Sequence, residues 1–225
     1  MREVQEHAVY GAMVEAMDLA VGRVLAELEE HGLIEDTIIV FFSDNGGLST
    51  SEGHPTSNLP LRAGKGWLYE GGVREPCVIR WPGVTAPGSV CDTPVISTDF
   101  YPTLLEALGL PARPEQHLDG ESLVAALRDP AAPLPQRALY WHYPHYGNQG
   151  ASPGSSIRVG DWKLVEWFEP GRKLELYDLA SDPGETTNLA AGAPERAGAM
   201  RARLQGWRDA VGARYPTANP RAESR

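Results

Sequence analysis

The run Ile38 to Phe42, IIVFF, ends abruptly in Ser43, Asp44, Asn45, Gly46 and Gly47. A short, continuous, β-rich apolar run predicts a strand buried on both faces of a parallel sheet. In open α/β sheets ligands gather at the carboxyl ends of such strands, where this chain presents a carboxylate and an amide. Neighbouring side chains on an extended strand point to opposite faces, so Asp44 and Asn45 converge on one ligand only if the backbone bends there. Gly46 and Gly47 permit that bend. The same dipeptide chemistry also makes an ordinary tight turn, with Asp or Asn bonding its own backbone. As a donor set, Asp plus Asn offers only hard oxygen atoms, which suit Ca²⁺ or Mg²⁺ and not a metal that wants Cys or His.

A second segment, PLRAGKGWLYEGGVREP over residues 60–76, places Lys65 between Gly64 and Gly66. Glycines on both sides let the backbone approach a ligand without a Cβ clash, and the ammonium is a compact point charge. Arg62, Lys65, Arg74 and Arg80 make residues 61–82 a basic island in a chain of net charge −10. Glu70 and Arg74 stand four apart, the spacing of a helical ion pair.

These two segments together resemble the second half of the sulfatase catalytic domain, in the alkaline phosphatase superfamily. The resemblance continues through CVIRWPG after residue 76, DFYPTLLEALG at 99–109, LDGESL at 118–123 and LYDLASDPGETTNLA at 176–190. It implies an α/β fold, with an alkaline phosphatase/sulfatase-like sheet flanked by helices and a small C-terminal subdomain of antiparallel strands plus a helix. It also implies hydrolysis of sulfate monoesters, with sulfated carbohydrate preferred over aryl sulfate. Asp44 and Asn45 would be Ca²⁺ ligands, with Ca²⁺ ahead of Mg²⁺, and Lys65 would be the catalytic and substrate-binding cation at the sulfate. In that family the nucleophile is a hydrated formylglycine made from Cys or Ser in a C/S-x-P-x-R motif.

That motif does not occur in the 225 residues. Neither Cys77 nor Cys91 has Pro two residues on, and Ser181, which has Pro183, meets Glu185 where Arg is required. The SDPGE run reads instead as a capping box, with Asp182 as N-cap of a helix and Glu185 three residues on. Formylglycine and the remaining metal carboxylates are therefore expected upstream, and the chain is expected to be a C-terminal portion that is inactive by itself. Two other readings stand beside the sulfatase one: a phosphohydrolase or phosphotransferase of the same superfamily, and a non-catalytic glycan-binding fragment.

The remaining organisation follows from periodicity. Residues 3–31 predict one amphipathic helix, with Ala8, Ala12, Ala16, Ala20, Val24 and Leu28 in one column, Val9, Met13, Met17, Val21 and Leu25 beside it, and Gly32 as its C′ residue. A strand is expected near Cys77 to Trp81, with helices around Phe100 to Leu108 and Ser122 to Leu127. The Pro-rich stretch 129–135 divides a catalytic portion, 1–130, from a smaller subdomain, 136–215, with a frayed tail over 216–225. The subdomain predicts strands at Ala138 to Tyr143, Ser156 to Val159, Trp162 to Phe168 and Lys173 to Leu179, then a helix over 194–213. An isoelectric point near 5.1 argues against nucleic-acid binding. No apolar run reaches the roughly 18 residues of a membrane span.

In LYWHYPHYGNQG, residues 139–150, aromatics and the histidines His142 and His145 could meet a sugar. Alternatively Tyr140 and Trp141 pack the sheet and the histidines sit on a turn. His54, between the two site segments, either lines the pocket or is an exposed loop residue. The expected partner is a sulfated small molecule or glycan.

Overall fold

The computed structural model describes residues 5–217. Its elements are α1 (Ala8–Glu30), β1 (Ile39–Phe42), α2 (Glu70–Val73), β2 (Cys77–Arg80), α3 (Phe100–Ala107), α4 (Val124–Arg128), β3 (Ala138–Tyr143), β4 (Gly154–Val159), β5 (Trp162–Trp167), β6 (Glu175–Asp178) and α5 (Pro194–Ala210). Two compact units share the chain discontinuously. One comprises Met1–Ala12, Ser43–Glu75 and Ala138–Arg225, the other Met13–Phe42 and Pro76–Arg137.

In the first unit β3, β4, β5 and β6 form an antiparallel meander in sequence order. Gly160 and Asp161 make a two-residue connection that sets Val159 opposite Trp162, and Gly160 takes the positive φ of 58° that such a hairpin favours. Alternation along β5 sends its side chains to two covered faces. On one, Ile157, Leu164 and Leu176 meet Ala197, Met200 and Leu204 of α5. On the other, Val165, Trp167, Tyr177 and Leu179 meet Ala63, Leu68 and Tyr69. Complete burial of each large aliphatic side chain contributes roughly 1.5–3 kcal/mol. Pro194 occupies the first turn of α5, where its missing N–H costs no helical bond. The strands and this helix lie where the alternation and turn signals put them, within a few residues.

Asp182 is a correction. No helix begins there; its carboxylate accepts from the backbone N–H groups of Thr186 and Thr187 and from the Thr186 hydroxyl, closing a loop. Glu185, the expected partner of the capping box, has φ 51° and is fully buried. The Glu185 carboxylate turns to Glu70 N–H and Lys163 and not to Asp182, and the next helix starts nine residues later, at Pro194.

In the second unit β1 and β2 pair antiparallel, with Phe42 opposite Cys77 and Ile39 opposite Arg80. This overturns the expected parallel strand buried on both faces. Val40, Phe41 and Phe42 are exposed by 37%, 40% and 44%. An apolar run signals a strand that wants cover, but its direction belongs to the partner, and here the partner returns after a 34-residue connection that carries both site segments. Buried Asp99 organises the turn before α3, accepting from the backbone N–H groups of Ile96 and Glu121 and pairing with Arg137.

α1 begins five residues after the expected start; residues 3 and 4 lie outside the described set, as do 218–225 of the expected tail. Gly32 is the C′ residue, with φ 66°, Gly32 N–H donating to Glu29 O and Leu33 N–H to Leu28 O, a Schellman end. No α1 residue is fully buried; Val24 of the expected apolar column is 62% exposed, and Val9 and Met13 beside that column are exposed by 66% and 64%. Among the described residues no helix is long and apolar enough to cross a membrane. Cys77 and Cys91 are free and exposed.

Candidate functional site

Immediately after β1 the backbone bends at Asp44 and Asn45, and the Ser43 hydroxyl donates to the Asn45 carbonyl across the bend at 2.9 Å. The bend that convergence of the two side chains requires is therefore present. Asp44 is exposed and Asn45 half-buried.

Glycine packing joins this bend to the lysine loop. Gly46 N–H reaches Gly72 O at 3.4 Å, and Lys65 N–H reaches Gly47 O at 3.2 Å. A Cβ on Gly46 would stand 1.8 Å from Gly71 O, and one on Gly64 would stand 2.2 Å from Gly47 O. The Asn58 carboxamide clamps the same crossing, accepting from Gly47 N–H and donating to Gly47 O and Ala63 O. Gly46→Ala places a methyl group against backbone that has no flexible end to move. It is expected to lower stability by about 1–3 kcal/mol, the usual cost of overpacking, and to raise amide exchange selectively at Lys65 and Gly71. A thermal melt and exchange profile identical to those of the unsubstituted chain would show that the crossing is looser than this.

Within the basic island the first unit commits Arg62 internally. Its guanidinium donates to Tyr177 Oη and Glu185 O and lies 3.8 Å from the Tyr69 ring centre. Lys65, by contrast, is exposed at the tip of its loop. Glu70 does not pair with Arg74. Its carboxylate is held by Lys163 at 2.9 Å and Arg158 at 3.0 Å, and Arg74 touches Glu70 only through the backbone bond from its N–H to Glu70 O. The sheet supplies one fully buried and one partly buried cation to the same carboxylate, which outweighs a solvated pairing along a single helical turn.

Glu75 is a residue that the motif reading passed over. Its Oε1 is buried without a hydrogen-bond partner among the described residues. Burial first, then the charges of Asp44 and Glu70, push its carboxyl up to about 7. Asp44, Asn45 and Glu75 offer only hard oxygen donors, the chemistry that fits a hard divalent cation. The set is partial: among the described residues no three of His, Cys, Asp and Glu gather into a metal-holding group. For formylglycine the residues do not fit, since neither free cysteine lies in the required motif.

The histidines separate into three environments. His54 is exposed at φ 51°, with Nδ1 2.8 Å from Ser49 O, so Nδ1 carries the proton and Nε2 is left outward. His142 is engaged at both nitrogens, with Ser155 Oγ and Arg214 O each at 2.7 Å, inside the C-terminal sheet. His145 lies exposed beside the Tyr143 ring. Tyr140 stacks on Trp207 at 4.7 Å and Trp141 packs on the core. The loop that follows nevertheless reaches the site segments. Gln149 O accepts from Trp67 Nε1 and the Thr50 hydroxyl, and Asn148 donates to Glu52.

Comparison with known proteins places this architecture. Residues 2–110 match the family model described as Sulfatase, and residues 63–206 match N-sulphoglucosamine sulphohydrolase, C-terminal. The chain belongs to the sulfatase family. It is 42% identical over 206 residues to a protein named Sulfatase from Formosa agariphila, a match covering 84% of this chain and 36% of that protein. The crystal structure of Ps i-CgsB in complex with k-i-k-neocarrahexaose superposes with a TM-score of 0.79 at 28% identity, covering 91% of this chain and 44% of that one. A structure holding its substrate D-glucosamine-2-N,6-O-disulfate gives 0.71 at 28% identity, with 87% and 39% covered. The chain thus has the α/β fold of these sulfatases over the matched part, and spans less than half of each of these three proteins.

Proposed function

We propose that this chain forms the cation- and sulfate-binding part of a hydrolase of sulfate monoesters that acts on sulfated carbohydrate. The carrying observation is the glycine crossing that sets the Asp44–Asn45 bend against the Lys65 loop. Ca²⁺ is the expected ion for the hard oxygen donors of Asp44 and Asn45, and when bound it would supply fixed positive charge to a sulfate oxygen. Lys65 adds a second cation. As the S–O bond to the leaving alcohol breaks, negative charge gathers on the ester and sulfate oxygens, so a preorganised ammonium stabilises that state more than the ground state. His54, through its outward Nε2, and His145 are the groups proposed to meet sugar hydroxyls. The both-sided engagement of His142 makes it a support for the sheet instead. The D-glucosamine-2-N,6-O-disulfate held by one structural neighbour supports a carbohydrate substrate.

The test compares the 225-residue chain with a protein that joins this sequence to a segment containing C/S-x-P-x-R. Each is supplied with Ca²⁺ or with EDTA, and assayed on 4-nitrophenyl sulfate, a sulfated monosaccharide and 4-nitrophenyl phosphate. The expected result is Ca²⁺-dependent sulfate release by the joined protein only, because a cation and a lysine without an activated nucleophile offer no covalent route. Preferential cleavage of the phosphate ester would favour the superfamily's phosphohydrolase chemistry. Sugar binding without turnover in either form would favour the glycan-binding reading.

A further inference from the structure

One rung of the C-terminal sheet carries three polar side chains directed at the site loops. Arg158 on β4 pairs with Lys163 on β5, which pairs in turn with Tyr177 on β6. Their heads take hold of the segment that builds the site. Arg158 Nη1 is 3.0 Å from Glu70 Oε2, Lys163 Nζ is 2.9 Å from Glu70 Oε1, and Tyr177 Oη accepts from Arg62. Glu185 closes the group. Its Oε2 accepts from Glu70 N–H at 2.6 Å, while Oε1 lies 3.2 Å from Lys163 Nζ. Lys163, Glu70 and Glu185 are each at most 1% exposed.

Two cations thus face two carboxylates. Buried charge on this scale is tolerated only when balanced, and deleting one partner strands another without compensation. The placement of the lysine is telling, because Lys163 falls in line with Val165 and Trp167 on a face that is otherwise apolar.

From Glu70 onward the connection to the site runs through close backbone contacts. Gly71 N–H bonds Arg62 O at 2.9 Å, Gly72 O accepts from Gly46, and a Cβ on Gly72 would stand 2.5 Å from Gly64 O. Glycine stands on both sides where Gly72 meets Gly46 and Gly64, and the Asn58 carboxamide ties Gly47 to Ala63, so displacement of Glu70 is passed on to the bend at Asp44–Asn45 and to the Lys65 loop together.

We infer that Lys163, supported by Arg158, is a positioning residue for the reacting site: its charge holds Glu70 and Glu185 together and thereby sets Asp44, Asn45 and Lys65 relative to one another. This rests on the function proposed above for the roles of those three residues, but the alignment itself can be read without turnover.

In the 225-residue chain, Lys163→Met keeps the side-chain volume and removes the charge. Amide exchange at Gly46, Lys65 and Gly71 is expected to rise by about tenfold or more, well beyond any change in the β3–β4 ladder or α5. Lys163→Met/Glu185→Gln restores the charge balance, with Gln able to accept from Glu70 N–H, and exchange should return to within about threefold of the unsubstituted chain. Leu204→Ala, which loosens the opposite face of the sheet, should leave the three site amides unselected. In the catalytically competent joined protein, Lys163→Met should lower kcat/KM by about 10- to 100-fold, as loss of supporting interactions around a site does, and the double variant should recover most of it. Where Lys163→Met does not fold, Lys163→Arg serves, with a selective rise of about threefold expected at the same amides. Exchange that rises uniformly across sheet and α5, or a double variant no better than the single one, would overturn the positioning role. Failure of the unsubstituted joined protein to release sulfate would overturn the proposed function and leave the exchange result standing.

Discussion

Lys65→Ala in the catalytically competent protein is expected to reduce kcat/KM by about 10²- to 10³-fold, the usual loss when one donor aimed at developing negative charge is removed. The loss should fall mainly on kcat, since the ammonium is proposed to meet charge that grows as the ester bond breaks. Folding should be unaffected, because the side chain is exposed and the backbone bond from Lys65 N–H to Gly47 O survives the substitution. Steady-state kinetics with metal content measured on the same preparation decides the matter. A fall of less than about threefold with full metal loading would remove Lys65 from the sulfate.

Asp44→Ala carries the other large effect. Removing the anionic member of the donor pair takes away the charge that compensates a divalent cation, so Ca²⁺ affinity should fall by more than about 10²-fold, beyond the range typical of outer-shell losses. Isothermal calorimetry or metal analysis after dialysis reads this directly. Sulfate release should fall with it and return in part at high Ca²⁺. Unchanged metal content and turnover would mean that the Asp44–Asn45 bend is only a turn. Asn45→Ala, which removes a neutral donor, should have the same direction and a smaller magnitude.

What the sequence determined is local. Asn-Gly-Gly chemistry after an apolar run specified the bend at Asp44 and Asn45, the flanking glycines specified close approach around Lys65, Gly32 specified the end of α1, and period-two alternation specified β3 to β6. Each of these depends on φ/ψ preference or side-chain period within a few residues, which neighbouring letters encode. The spaced motifs likewise carried the family.

Tertiary structure decided the rest. β1 runs antiparallel to β2, Asp182 caps a loop and no helix, and the apolar columns of α1 stand largely exposed. Glu70 takes partners 88, 93 and 115 residues away in place of Arg74. A buried carboxylate is settled by whichever cations the fold brings into the same low-dielectric space, and neither helical spacing nor composition records which those are. A lysine in the apolar alternation of β5 was the one sequence signal of that cluster, and only the packing of α2 against the sheet gave it a meaning. That is the division in this protein: residue-to-residue geometry was written along the chain, while the charge balance that holds the two arms of the candidate site in place arose from strands and loops meeting across it.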